Sequence, residues 1–74
     1  MSASVEDEAR ARLDVAQLYE EMNQIPKAVR YYLEAAQIYK DGGVQVRYKE
    51  MLTKVLQLDP ENTQAQSELN RVNT

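Results

Sequence analysis

The residues able to do chemistry are few, and the missing types exclude most of it. The 74 residues contain no Cys and no His, which removes the thiol nucleophile, the thiolate ligand, the disulfide and the commonest general base. Carboxylates are plentiful, and Glu20-Glu21 and Glu6-Asp7-Glu8 are the groups an acid-base or cation site would use. Adjacent helix residues point about 100 degrees apart and no imidazole completes a ligand set, so these carboxylates are expected on a solvated face. Gly42-Gly43 lacks the flanking residues of a phosphate-binding loop and reads as a helix stop. Ser2, Ser4, Ser67 and the threonines have no histidine to activate them. The expectation is a protein that is not an enzyme, with no cofactor and no metal. Five tyrosines suggest ligand stacking, but Tyr19, Tyr32, Tyr39 and Tyr48 recur at helical spacing and are assigned to the core. Tyr31 falls off that spacing and is the aromatic expected to face a partner.

Charge and length narrow the partner. A net charge of -3 and a pI near 4.8 argue against binding a phosphate backbone, so nucleic acid is not expected. The opening Met1-Ser-Ala-Ser-Val-Glu-Asp-Glu is acidic where a signal peptide is basic then apolar, and no apolar run nears the ~18 residues that span a bilayer. A cytoplasmic chain without membrane insertion is the expectation. At this length one small core is the most that can be built, so residues 1–74 are taken as a single domain.

The elements follow from the two prolines and the two glycines. Helix one is expected roughly from Ser4 to Met22, capped by Ser2 or Ser4, with Glu6/Arg10 and Glu8/Arg12 as i,i+4 pairs. Helix two is expected roughly from Pro26 to Asp41 and is apolar over an arc wider than one neighbour needs, which makes it the central helix. Gly42-Gly43 separates it from helix three, roughly Val44 to Leu58. Asp59 as N-cap and Pro60 as first residue start helix four, roughly Pro60 to Val72, the most polar and least stable of the four. No segment alternates as a strand does, so the class is all-α, and short connections impose antiparallel helix hairpins.

A repeat refines this. Leu13-Asp14-Val15-Ala16-Gln17-Leu18-Tyr19 returns as Leu33-Glu34-Ala35-Ala36-Gln37-Ile38-Tyr39, twenty positions later, with four identical residues and three conservative ones. Repetition of a helix implies a stack in which each helix buries its face on both neighbours. The matched residues resemble the tetratricopeptide repeat. Val15-Ala16-x2-Tyr19 stands for its L-G-x2-Y and Ala28-x3-Tyr32 for its A-x3-F, while Leu58-Asp59-Pro60-Glu61-Asn62 looks like the common ending of such a repeat. Arg12 and Lys40 depart from the aromatic and the proline of the pattern, and the twenty-residue step departs from the period of ~34. Twice twenty approaches the ~40 residues of HEAT-like pairs, the alternative solenoid.

The resemblance implies protein-protein interaction: an adaptor or scaffold holding a peptide or protein surface on the concave face of stacked helix pairs. Carried over by position, Leu13, Gln17 and Glu20 point that way, as do their equivalents Leu33, Gln37 and Lys40, with Arg30 and Arg71 nearby. Leu13 and Gln17 do not supply the Lys and Asn with which the family clamps acidic tails, so a chaperone-tail receptor is disfavoured. The alternative is a homo-oligomer, or a subunit or fragment of a larger helical-repeat complex, because stacks usually need about three repeats to be stable.

Overall fold

The computed structural model describes residues 4–73, and every regular element among them is a helix: α1 (Val5–Glu21), α2 (Ile25–Asp41), α3 (Gln45–Leu58) and α4 (Thr63–Asn73). Ser4 caps α1, its Oγ accepting from the Asp7 backbone N–H at 3.1 Å, with Glu6, Asp7 and Glu8 in the first turn. Ser2, the other expected cap, lies outside the described residues. Pro26 occupies the first turn of α2, where the missing N–H costs nothing.

The first two turns are built alike. Asn23 (φ 59) and Gly43 (φ 76) each take the left-handed conformation one residue past the helix cap. Around Asn23, the Gln24 N–H reaches the Tyr19 carbonyl at 2.8 Å and the Asn23 N–H reaches that of Glu20 at 3.0 Å. Around Gly43, Val44 reaches Tyr39 at 2.9 Å and Gly43 reaches Lys40 at 3.1 Å. Both are Schellman closures, and every participating residue is matched at a shift of twenty. The repeat seen in the helices therefore runs on through the turns.

The third turn corrects the expected start of helix four. Asp59 does not cap α4; it closes α3, its N–H on the Val55 carbonyl at 2.7 Å. Asn62 is the cap, its Oδ1 accepting from the Ala65 N–H at 2.9 Å while its Nδ2 donates to Asp59 at 3.2 Å. Asn serves as well as Asp at this position, and Pro60 is thereby left in the turn rather than in the helix.

Each helix packs on the next, α1 on α2, α2 on α3 and α3 on α4. The core is small side chains and rings: Ala9, Ala16, Ala28, Ala36 and Ala65 let helices approach, and Tyr32, Tyr39, Tyr48, Leu52 and Val55 fill the space between them. Six of these or similar residues belong to α2 (Ala28, Val29, Tyr32, Ala35, Ala36, Tyr39), which is buried on both sides as its wide apolar arc requires. The Cα trace measures 38 × 35 × 13 Å. The helices alternate between two sides, α1 beside α3 and α2 beside α4, each pair parallel because each neighbour in sequence is antiparallel.

Candidate functional site

Tyr32 and Tyr39 are brought to one side of α2 by seven-residue spacing, and their hydroxyls emerge between α1 and α3. The Tyr32 hydroxyl donates to Glu20 at 2.8 Å and the Tyr39 hydroxyl to Glu6 at 3.1 Å. These bonds fasten opposite ends of α1 to the floor of a groove that runs the length of α1 and α3. At one end Lys54 of α3 donates to Glu20 at 3.2 Å and lies 5.8 Å above the centre of the Tyr32 ring. The volume there is about 590 Å³, lined among others by Leu13, Gln17, Glu20, Tyr32, Met51 and Lys54. At the other end a volume of about 240 Å³ lies among Glu6, Arg10, Asp14, Tyr39, Arg47 and Met51. Half-buried Leu13 and Met51 join the two ends.

The electrostatics follow from this geometry. The Tyr32 hydroxyl, and secondarily Lys54, hold the Glu20 carboxyl below its ordinary value against the opposing effect of burial. Burial, reinforced by the carboxylate that each faces, pushes the Tyr32 and Tyr39 phenols up. The groove thus has neutral, hydrogen-bonded rings for a floor and ionised rims. Nothing in it forms a nucleophile-base pair, and among the described residues no group of three acidic side chains is placed to hold a metal ion.

A second groove lies on the opposite side, where α2 becomes a wall and α3 the floor. Tyr48 of α3 donates to Glu68 of α4 while Lys40 of α2 lies 5.9 Å above the ring. Burial and Glu68 push the Tyr48 phenol up to about 12. A carboxylate on one wall, a tyrosine on the floor and a lysine on the other wall thus occur once per groove.

This alternation divides the expected site. Leu13, Gln17 and Glu20 line the α1/α3 groove, whereas Leu33, Gln37 and Arg30 line a volume of about 410 Å³ on the α2/α4 side. Lys40 lines another volume on that side beside Val72, and Arg71 lies near Tyr48. The twenty-residue equivalents do not share a face, because one repeat step turns the chain from one layer to the other. Tyr31 faces neither groove: its half-buried ring stacks on Tyr19, centroids 5.6 Å apart and planes 19° from parallel. The expected pairs of α1 are replaced too, since Arg12 reaches Glu34 of α2 at 3.6 Å and Glu6 accepts from Tyr39. The α3 wall, Lys49, Glu50, Met51, Thr53, Lys54 and Gln57, was not anticipated. The signal for it was the doubled period, which carries Gln17 of one wall onto Gln57 of the other.

Four helices zigzagging between two layers, with one family description matching residues 2–70, soluble NSF attachment protein (SNAP), decide the relationship. The chain belongs to the SNAP family. This membership refines the tetratricopeptide resemblance, which holds at the level of a TPR-like helical array, and it places the chain among helical protein-interaction adaptors in general. No curated protein and no solved structure matches this SNAP-family chain. Among the described residues no helix is long and apolar enough to cross a membrane.

Proposed function

We propose that this chain is a non-catalytic protein-interaction module that holds a peptide, or a projecting segment of a partner protein, along the α1/α3 groove. The observation that carries this is the groove itself, open along two parallel helices, with an apolar centre at Leu13 and Met51 between charged ends. That arrangement suits a segment with one or two apolar anchors flanked by polar residues, the anchors supplying most of the affinity and the ends fixing register. The protein-attachment role in the family's description supports a protein partner rather than a small molecule.

The test is selection from a displayed random-peptide library followed by variants of the chain. Met51→Glu and Gln17→Ala are expected to weaken a selected peptide about tenfold or more for the first and a few-fold for the second. Arg30→Ala, on the other face, is expected to leave affinity unchanged. Peptides whose binding ignores Met51→Glu but falls with Arg30→Ala would place the working face on α2/α4 instead.

A further inference from the structure

The face of α1 turned away from the groove exposes apolar side chains. Val15, Leu18 and Met22 are exposed by 36%, 54% and 49%, and together with exposed Ala11 they follow the four-three-four spacing of a coiled-coil seam. The repeat explains what this seam is. Shifted by twenty, Ala11, Val15, Leu18 and Met22 become Tyr31, Ala35, Ile38 and Gly42, the face that α2 turns toward α1. There Tyr31 stacks on Tyr19, Ala35 is fully buried, and Gly42 lies so close under Val5 that an added Cβ would sit 2.5 Å from its methyl. The seam on α1 is therefore the same contact, continuous in register with an interface already formed, and no helix among the described residues packs on it.

Charge selects the occupant. Asp7, Asp14 and Glu21 recur at seven-residue steps along the groove side of the seam, and Glu8 stands at its N-terminal end; all are exposed, and none of these carboxylates has a hydrogen bond or ion pair among the described residues. Of the two bases on α1, Arg12 is engaged by Glu34 at 3.6 Å, and Arg10 lies on the groove side with Asp14 and Tyr39, so the seam's flank stays net acidic. A second copy packed antiparallel through this face would set Asp14 against the other copy's Glu21, like charges that oppose pairing.

We propose that the α1 seam docks an amphipathic helix of another protein, antiparallel to α1, with apolar residues at heptad spacing and Lys or Arg beside them. This surface is separate from the α1/α3 groove and stands whether or not that groove binds peptide.

The experiment uses a fluorescein-labelled three-heptad helix with Leu in the seam and Lys beside it, and a twin with Glu in place of Lys. Anisotropy titration is expected to give saturable binding of the Lys helix and binding of the Glu twin about tenfold weaker or less. Leu18→Glu is expected to remove binding, whereas Met51→Glu in the groove leaves it intact. Asp7→Lys/Asp14→Lys/Glu21→Lys is expected to reverse the preference between the two helices; these three positions and Leu18 are exposed, so the seam variants keep their circular dichroism. Equal binding of both helices, or an unreversed preference, overturns the proposal. So does light scattering that shows the chain pairing with itself until Leu18→Glu separates it, since a second copy would then be the occupant.

Discussion

The three floor tyrosines bind carboxylates across helix boundaries, and each bond has a consequence for stability against pH. The Glu20 carboxyl is lowered chiefly by the Tyr32 hydroxyl, so its contribution is complete above the unfolded value of 4.5 and is lost as pH falls through the lower folded value. Tyr32→Phe is expected to cost about 1–2 kcal/mol at neutral pH and to move the Glu20 titration upward, measured by urea denaturation and by carbon-detected titration of the carboxyl. The phenols work in the other direction. Tyr48 is raised from 10.0 to about 12, so its contribution is complete below pH 10 and disappears as pH climbs to about 12. The melting temperature is expected to stay level up to about pH 10 and then to fall, with phenolate absorbance rising in step, and Tyr48→Phe is expected to make that fall shallower without removing it, because Tyr32 and Tyr39 are raised too. The sequence disclosed that these rings were core, because aromatic spacing reports burial. It did not disclose their hydroxyl partners, since Glu6, Glu20 and Glu68 stand among twelve acidic residues with nothing local to single them out.

At the scale of the helix and its turn, two glycines do different things. Gly43 needs its positive φ, so Gly43→Ala is expected to cost about 1 kcal/mol through backbone strain with open space around the new methyl. Gly42 has a helical φ of -84° and is constrained by Val5, whose Cγ2 would lie 2.5 Å from a Cβ placed there. Gly42→Ala is expected to destabilise in the wild-type background and much less in Val5→Ala, a coupling that a double-mutant cycle by chemical denaturation measures. Helix existence was legible from prolines, glycines and periodicity. The start of α4 was not, because Asp59-Pro60 and Asn62 are both acceptable caps, and only the closing bond of Asp59 onto Val55 decides between them.

Contacts across the whole molecule run almost entirely between successive helices, so stability accumulates along a line rather than around a centre. Helix α4 touches the rest through α3 and fully buries only Ala65. Its amides are expected to exchange through local opening well before those of α2, which hydrogen exchange followed by NMR would resolve; equal protection in both would mean a single cooperative unit. In contrast, Ala36→Asp in the middle of α2 is expected to abolish the cooperative transition, because a carboxylate there has no water and no partner. The split of the candidate site between two faces escaped sequence reading for a geometric reason: a shift of twenty preserves the Leu and the Gln of the site and reverses chain direction. That reversal gives the array a parity. Because the Schellman turns at Asn23 and Gly43 share one geometry, a duplication of twenty residues spliced at either would join without strain, yet it would move every later helix into the opposite layer and face Lys54 away from Glu20. A duplication of forty would lengthen both grooves and keep each wall on its own side. Length variation that preserves binding in such a chain is therefore expected in even numbers of helices, a rule enforced by backbone geometry at the turns.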